Sequence, residues 1–335
     1  MKAFQIRKYK NPLELTDIPV PQIGSDEVLV RVAAAGVNQL DEMIRQGTFK
    51  ATLPYALPLT LGSDLSGEVT QVGSRVSEFK VGDLVFGKVD VKQMGTFAEF
   101  CAVKEADLAL KPNNLNEVEA AALPLVTLTA WQALAIRGKV AAGQKVLIHG
   151  GAGGVGSIAI QIAKHLGAFV ATTASSSNVE FVQGLGADQV IDYKKQDFAE
   201  ILKGFDLVLD TQGGETLMKS FEILKPGGKV IGIAGPPDVA YARSSNFNPV
   251  IRTIFKLLSS KVVKRAAALG VSYEFLFVES SGSQLKQIAK LVESGTLKPI
   301  LGREFAFEDT PDALIALAAA EISRGKAVIN FTRIS

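Results

Sequence analysis

The residues with the clearest chemical potential form a glycine-rich loop. Gly151-Ala152-Gly153-Gly154-Val155-Gly156 fits the pattern G-x-G-x-x-G, directly after a predicted strand over 145–149 and at the start of a predicted helix over 155–166. The glycines allow a tight turn and close approach of the backbone to a pyrophosphate, whose charge the helix N-terminus stabilises. A plain turn explains the glycines alone equally well, but the flanking strand and helix favour a dinucleotide site.

The second predicted strand bears on which dinucleotide is bound. About 20 residues beyond such glycines, NAD-binding proteins present Asp or Glu to the adenosine ribose. Here residues 172–178 read Thr-Thr-Ala-Ser-Ser-Ser-Asn, with no acid before Glu180. A carboxylate would repel a 2′-phosphate, whereas hydroxyls and an amide can donate hydrogen bonds to it. The segment therefore predicts NADPH, although no Lys or Arg lies in it.

Soft metal ligands are scarce in this sequence. The chain has one cysteine, Cys101, and two histidines, His149 and His165. One cysteine cannot form an internal disulfide, and three scattered Cys and His side chains cannot build a four-ligand zinc site. Neither histidine has the partners of a catalytic triad nearby in sequence, which favours structural or solvated roles. We therefore expect no bound metal.

Length and charge exclude several classes of protein. The 335 residues suggest about two domains. With 36 basic and 34 acidic residues and no like-charge block, the chain does not look built to coat nucleic acid or an anionic membrane. The longest uncharged stretch, residues 120–136, contains Pro124 and is too short to span a bilayer. Since no leader pattern is visible, we expect a cytoplasmic protein.

The elements that must position the loop change character along the chain. The first third contains short Val-rich runs punctuated by glycine, which predict a compact antiparallel barrel or sandwich. After about residue 120, continuously apolar strands alternate with helices, as in a doubly wound parallel sheet. Those strands are predicted over 145–149, 169–173, 189–193, 205–210 and 229–234.

The simplest arrangement is a β-rich domain, built from both chain ends, with a dinucleotide-binding domain inserted in it. We predict boundaries of 1–122 and 296–335 for the first and 123–295 for the second. Residues 241–269 form either a helix that caps an active-site cleft or an amphipathic surface helix with solvated lysines. A further helix is predicted over 311–324.

A series of motifs in order along the chain resembles one known family. They are Ala34-Ala35-Gly36-Val37-Asn38 with Asp41, Leu61 to Val69, Val81 to Val85, Leu128 to Leu134, the glycine loop, Leu185 to Asp188, Ile191-Asp192-Tyr193 and Arg324 to Val328. Together they resemble the zinc-free quinone oxidoreductase (zeta-crystallin-like) branch of the medium-chain dehydrogenase/reductase superfamily. Zinc-dependent members carry Cys and Gly-His-Glu where this chain has Asn38 and Gly62-Ser63-Asp64.

The resemblance implies a fold and an activity. The fold is a Rossmann doubly wound parallel sheet inserted in a GroES-like β-rich catalytic domain, with NADPH held between the two domains. The activity is zinc-independent hydride transfer to quinones or α,β-unsaturated carbonyls. An enoyl-thioester reductase and a non-catalytic NADPH-binding structural or interaction protein stay open as alternatives. The alternating segment 271–278 implies a homodimer, although an edge strand covered within one chain is nearly as good an explanation.

The resemblance also implies site residues. Those at the phosphates would be Thr129, Ala152, Gly153, Gly154 and Val155, and those at the adenosine end Ser175, Asn178 and Tyr193. The nicotinamide would be lined by Ile233, Ala234, Gly235, Phe275 and Phe277, with Ser323, Arg324 and Lys326 closing over it. The catalytic residues would be Asn38, Tyr55 and Asp41, with Tyr55 as the expected proton donor. No metal ligand is implied.

Overall fold

The computed structural model describes residues 1–332, and the chain divides into two compact units. The first comprises residues 1–128 together with the described chain from residue 279 onward, and the second comprises Thr129–Val278. The first and last parts of the described chain thus belong to one unit. The domain boundaries at 122/123 and 295/296 stay a prediction.

The chain begins with the strands and short helices of the first unit. In order they are β1 (Lys2–Ile6), β2 (Glu14–Asp17), β3 (Glu27–Val37), α1 (Gln39–Arg45), β4 (Leu59–Thr60), β5 (Asp64–Val72), β6 (Leu84–Lys88), β7 (Phe100–Lys104), β8 (Leu108–Leu110), α2 (Glu117–Ala121) and α3 (Pro124–Trp131). The last helix crosses into the second unit and continues as a π-helical turn over Gln132–Arg137.

The second unit alternates strands and helices. In order they are β9 (Lys145–Ile148), α4 (Gly154–His165), β10 (Phe169–Ala174), α5 (Val179–Gly184), β11 (Gln189–Asp192), α6 (Phe198–Ile201), β12 (Phe205–Asp210), α7 (Gly214–Ser220), β13 (Leu224–Gly232), α8 (Val239–Ser244), α9 (Pro249–Ala268) and β14 (Ser272–Phe275). The first unit resumes with α10 (Gly282–Glu293), β15 (Leu301–Ala306), α11 (Thr310–Ala318) and β16 (Lys326–Asn330).

Strand β3 organises the first unit. It lies between β16 and β5 in a seven-stranded sheet of order β15-β16-β3-β5-β6-β8, and it also pairs with β7. Its residues Val28, Val30 and Val32 are buried, and so is Leu29, whose side chain is on the other face of the strand. The pairing of β16 with β3 is antiparallel and places Ala327 opposite Val37. This register brings the C-terminal segment beside the residues that follow β3.

The second unit is built on a six-stranded parallel sheet of order β11-β10-β9-β12-β13-β14. The predicted doubly wound parallel sheet is therefore confirmed. Along the chain, β10 and β11 are added on one side of β9, and β12, β13 and β14 are then added on the other side. In such sheets the point where the strand order reverses is where ligands bind. The glycine loop follows β9, at this point.

Two predicted helices have different bounds in the structure. The helix expected over 311–324 ends at Ala318, because Ala320 adopts a left-handed conformation with φ of 57°. The Ala320 and Glu321 N–H groups then donate to the Leu317 and Ala316 carbonyls, which closes a Schellman motif.

The expected helical segment 241–269 is divided into α8 and α9. Asn248 caps the start of α9, since its side chain accepts the Ile251 N–H at 3.0 Å, and Pro249 occupies the first helical position. None of the helices within residues 1–332 is both long enough and apolar enough to cross a membrane.

Candidate active site

Predicted cofactor residues of the second unit lie at one edge of its sheet. The glycine loop follows β9, Ser175 follows β10, Tyr193 follows β11, Ile233–Gly235 follow β13 and Phe277 follows β14. Because the six strands are parallel, all of these segments are at the carboxyl edge, where open α/β sheets bind their ligands. Thr129 instead lies in α3 and is buried.

The glycine loop has no space for side chains at two of its positions. A Cβ on Gly156 would lie 2.1 Å from the Gly150 carbonyl oxygen, and one on Gly151 would lie 2.2 Å from Thr172 Oγ1. Gly153 is the N-cap of α4 and has no side chain that could cap the helix. The first N–H groups of this helix and its positive dipole end are thus available to an anionic ligand, which fits a pyrophosphate.

Strand β10 holds the start of the loop through its threonines. The Gly150 N–H donates to Thr173 Oγ1 and the Gly151 N–H to the Thr173 carbonyl, both at 3.0 Å. The Thr172 hydroxyl donates to the Ile148 carbonyl at 2.7 Å. The threonine pair that the sequence places before the adenosine segment therefore also fixes the loop.

The segment after β10 presents hydroxyl groups, with a carboxylate behind them. Ser175 Oγ lies 3.1 Å from Ser177 Oγ and accepts from Asn178 Nδ2 at 3.3 Å. The Ser176 hydroxyl donates to the carboxylate of Asp192, the last residue of β11, and this bond lowers the pKa of Asp192. Reasoning from residues 172–178 alone missed this acid, because it comes from the neighbouring strand.

His149 has a structural place in the second unit. Its side chain is buried, with Nε2 2.9 Å from Ser220 Oγ and Nδ1 3.3 Å from Thr173 Oγ1. The ring also meets the edge of Phe198, with centroids 4.7 Å apart. Burial lowers the pKa of His149 to about 4, so the ring is neutral near pH 7.

Two aspartates that were not among the predicted site residues bind backbone N–H groups at the carboxyl edge of the sheet, beyond β12. Asp210 ends β12 and accepts the N–H groups of Gly213 and Gln212 at 3.0 and 3.2 Å, while burial raises its pKa to about 6. Asp238 caps α8 through the Tyr241 N–H at 2.7 Å and accepts the Phe275 N–H at 3.1 Å. In the sequence, Asp210 could have been recognised as the polar residue that ends the apolar strand predicted over 205–210.

In the first unit, a buried group of polar residues surrounds the start of α1. We call Asn38, Asp41, Asp64, Lys88 and Lys326 the charged cluster, and each is at most 5% exposed. Lys326 Nζ donates to the Val37 carbonyl at 2.8 Å and to Asn38 Oδ1. It also lies 3.6 Å from Asp64 Oδ2. Lys326 was expected to close over the nicotinamide. In the structure its ammonium group binds Val37, Asn38 and Asp64, all within its own unit.

The Asn38 amide is engaged at both ends. Its Nδ2 donates to Asp64 Oδ2 at 3.0 Å, and its Oδ1 accepts from Lys326. The other carboxylate oxygen of Asp64 accepts the Leu125 N–H at 2.9 Å. Burial raises the pKa of Asp64, and the Lys326 charge opposes that shift. These contacts make Asn38 and Asp64 parts of the scaffold.

Asp41 has one oxygen engaged and one without a partner. Its Oδ2 accepts the Asn38 N–H at 2.7 Å, whereas Oδ1 has no hydrogen-bond partner within the described residues. Burial raises the pKa of Asp41 to about 7, so the carboxyl exchanges its proton near neutral pH. Lys88 completes the cluster, with Nζ 3.2 Å from Ser280 Oγ and 3.3 Å from the Val89 carbonyl.

The expected proton donor, Tyr55, lies in the loop before β4 and is only partly buried. Its hydroxyl donates to the Val91 carbonyl at 2.6 Å. Burial and the negative charge of Asp41 raise the pKa of Tyr55, which keeps the phenol protonated. Ser323 and Arg324, expected over the nicotinamide, are exposed in the segment before β16.

Comparison with known proteins shows which protein family has this combination of units. Residues 24–113 match the alcohol dehydrogenase GroES-like domain, and residues 185–329 match the zinc-binding dehydrogenase family. The chain is 36% identical over 98% of its length to 2-methylene-furan-3-one reductase of Solanum lycopersicum, of which it covers 79%. The chain belongs to the medium-chain dehydrogenase/reductase superfamily. As a member it is an oxidoreductase that uses a nicotinamide cofactor and a small-molecule substrate.

Two further comparisons place the chain within that superfamily. It is 36% identical over 94% of its length to NADPH-dependent alkenal/one oxidoreductase, chloroplastic, of Arabidopsis thaliana, covering 74% of that protein. It also superposes on the quinone oxidoreductase from Coxiella burnetii with a TM-score of 0.86 and 32% identity, over 99% of both chains. The chain is therefore a member of the quinone oxidoreductase branch that the motifs indicated.

One of the matched families is named for zinc binding, which raises the question of a metal site in this chain. Within residues 1–332, no three or more His, Cys, Asp and Glu side chains come together as a metal site would require. Near Asn38 and Asp64, where zinc-dependent members have ligands, the structure places the Lys326 ammonium. The zinc-free assignment stays a prediction.

Proposed function

We propose that the chain is an NADPH-dependent reductase of quinones and α,β-unsaturated carbonyls. The observation that carries the proposal is the uncapped N-terminus of α4 at the reversal point of the sheet, beside a hydroxyl-rich segment. The first feature suits a pyrophosphate, and the second suits a 2′-phosphate. The similarity to an alkenal/one oxidoreductase and a quinone oxidoreductase supports the substrate class.

The second unit supplies most of the proposed cofactor contacts. Backbone N–H groups from Ala152, Gly154 and Val155 would bind the pyrophosphate. Gly153, whose N–H donates to the Gly150 carbonyl at 3.0 Å, would let the backbone come close to it. Ile233 to Gly235, Phe275 and Phe277 would line the nicotinamide ring at the ends of β13 and β14. When bound, NADPH supplies a hydride from its nicotinamide ring. The residues at the sheet edge position the ring and exclude water from it.

The preference for NADPH rests on how the Asp192 carboxylate is neutralised. It accepts from the Ser176 hydroxyl and from the Lys194 N–H at 3.1 Å, and it lies 3.5 Å from Lys195 Nζ. The carboxylate is thus paired with Lys194 and Lys195 of its own loop and with Ser176 of the neighbouring segment. The hydroxyl of Ser175, with Asn178 and Tyr193 nearby in the fold, can then donate to a 2′-phosphate.

For the first unit we propose that Tyr55 supplies the proton and that Asn38 and Asp41 position it. Tyr55 has a phenol that remains protonated and a position in a partly exposed loop. Asn38 is fully used by Asp64 and Lys326, so its effect on the reaction is exerted through other residues. We also propose, from the resemblance, that Thr129, Ser323 and Arg324 contact the cofactor.

The test is a substrate panel with purified full-length protein and either NADPH or NADH. We expect phenanthrenequinone and octenone to oxidise NADPH, followed by loss of cofactor absorbance, and crotonyl thioester to give little turnover. Cofactor binding without turnover of any acceptor would favour a structural or interaction protein. Faster turnover of the thioester would assign an enoyl-thioester reductase instead.

The proton donor is tested separately. For Tyr55→Phe we expect kcat with octenone to fall about 100-fold, with the KM for NADPH unchanged. The control is Tyr9→Phe, since the Tyr9 hydroxyl accepts the Tyr55 N–H at 3.4 Å and belongs to the same surroundings. An equal loss of kcat in both variants would indicate a disturbed loop, and Tyr55 would then not be the proton donor.

The last strand of the parallel sheet also bears on assembly. Within the described chain β14 pairs with β13 and lies at the end of the sheet order. We propose that its outer edge pairs with the same strand of a second copy, giving a homodimer. Light scattering at the column exit would then show twice the chain mass, and the mass of a single chain would contradict the proposal.

A further inference from the structure

The outer side of α9 is apolar in its first half. Val250, Ile254, Leu257 and Leu258 are 68%, 43%, 69% and 57% exposed. Their spacing places them on one side of the helix, in neighbouring turns. Single exposed apolar residues are common on protein surfaces, but a contiguous group on one helix face marks an interaction site.

The other side of α9 already holds the helix in place. Phe255, Ser259, Val262 and Ala266 are buried. Phe255 also packs against Tyr241 of α8, with ring centroids 6.1 Å apart, and against Phe247 at 5.6 Å. The helix therefore has its own packed face within the second unit, and the outer apolar residues are not needed to fix it.

Along the chain, the charged residues in and around α9 are all positive. Residues 239–273 contain six basic and no acidic residues, although the whole chain has a formal charge of only +2. Lys256, Lys261 and Lys264 are exposed, and Arg265 pairs with Glu222 at 2.7 Å. The overall balance of the sequence, which argued against an anionic surface as partner, thus conceals one strongly basic segment.

We propose that the outer face of α9 docks on a membrane surface that contains anionic phospholipids. The four apolar side chains would enter the boundary between headgroups and acyl chains. Lys261 and Lys264, which lie on the same side of α9 beyond Leu258, would meet lipid phosphates while their stems follow the apolar surface. A second copy is the weaker explanation, because a two-fold contact through this face would bring the same cations together. The proposal goes beyond the reductase function and does not depend on it.

The experiment is sedimentation of the full chain with vesicles, without cofactor or acceptor. We expect binding to vesicles of phosphatidylcholine and phosphatidylserine in equal parts, little binding to pure phosphatidylcholine, and release by added salt. Leu257→Gln with Leu258→Gln should weaken binding at least about tenfold through loss of apolar burial. Lys261→Glu with Lys264→Glu, on the same side of the helix, should weaken it by at least about as much.

Matched variants on the first unit serve as controls. Leu84→Gln with Leu110→Gln changes two leucines that are 44% and 54% exposed, and Lys50→Glu with Lys80→Glu changes two exposed lysines. Both controls should bind as the unchanged chain does. Absence of binding to anionic vesicles, or equal binding by the Leu257/Leu258 variant, would overturn the proposal. A lower molecular mass for that variant would instead assign the face to contact between two copies.

Discussion

The glycine loop and the charged cluster use backbone and side chains in opposite ways. In the loop, residues 150–156, the important groups are backbone N–H donors, and side chains are excluded because a Cβ at Gly156 would lie only 2.1 Å from the Gly150 carbonyl oxygen. In the charged cluster, the important groups are side chains that bind one another away from water. The loop uses the N–H groups of Gly150, Gly151 and Gly153 to hold its own shape and leaves those at the start of α4 available to a ligand. The cluster uses nearly all of its donors on its own members.

This difference shows which site residues can act directly on a ligand. The loop is shaped by the absence of side chains, so a local pattern of glycines was enough to predict it as a phosphate-binding loop. The cluster is assembled from segments distant in sequence, and Asn38 and Lys326 satisfy each other there. A polar residue at a motif position is thus available for chemistry only if its neighbours leave it free. Substitutions can test both arrangements, beginning with the largest expected effect.

Gly156→Ala should abolish useful cofactor binding. Its Cβ would meet the Gly150 carbonyl, which is backbone and cannot turn away, so the loop must move. We expect the Kd for NADPH to rise about 100-fold, measured by quenching of intrinsic fluorescence. Gly184→Ala is the control, because its Cβ would find nothing within 4 Å. Equal binding by both variants would contradict the role of the loop.

Lys326→Met should lower the free energy of unfolding by about 3–5 kcal/mol, because the buried side chains of Asp64 and Asn38 lose the cation next to them. Adding Asp64→Asn should restore much of that loss in urea titrations. The exposed pair Lys286 and Glu78, 46% and 51% accessible, is the matched comparison and should contribute less than about 1 kcal/mol. Additive effects of the two cluster substitutions would mean that Lys326 acts by packing alone.

Asp41 and His149 should give stability opposite dependences on pH. The folded chain keeps a proton on Asp41 up to about pH 7, whereas an unfolded carboxyl loses it near pH 4, so this group makes stability fall as pH rises. His149 stays neutral down to about pH 4, whereas an unfolded imidazole gains a proton near pH 6.5, so it makes stability rise with pH.

The corresponding variants separate these two slopes. Between pH 4 and 6.5, Asp41→Asn should make the free energy of unfolding rise more steeply with pH. Over the same range, His149→Asn should make it fall with pH, with Asp210 contributing in the same direction as Asp41. Each group contributes at most about 1.4 kcal/mol per pH unit. If the plot of unfolding free energy against pH has the same slope for a variant as for the unchanged chain, the substituted group does not cause the pH dependence.

Ser175→Ala should give the smallest effect. Loss of one hydroxyl donor should weaken NADPH about tenfold and leave NADH unchanged, as measured by titration calorimetry. Ser177→Ala is a useful second variant, because its hydroxyl lies 3.1 Å from that of Ser175. Equal weakening of both dinucleotides would place Ser175 away from the 2′-phosphate.

Fold class and the glycine loop could be predicted from the sequence because their signals are local. Continuous apolar strands alternating with helices, and glycines between a strand and a helix, need only neighbouring residues to be recognised. The scarcity of Cys and His likewise pointed to the zinc-free branch. The helix expected to reach residue 324 ended at Ala318, because a Schellman motif can form without the glycine that usually signals it.

Other properties were decided only when distant segments met. Asp192 reaches Ser176 because β11 lies beside β10, and Lys326 reaches Asn38 because β16 pairs with β3. Whether Asn38, Asp41 and Lys326 are free or paired, and what pKa Asp41 has, depends on burial and on partners up to 289 residues away. The sequence determined which groups this protein has and the glycine loop that we propose binds its cofactor. The tertiary structure decided which side chains remain available, because desolvation and pairing act between neighbours in space.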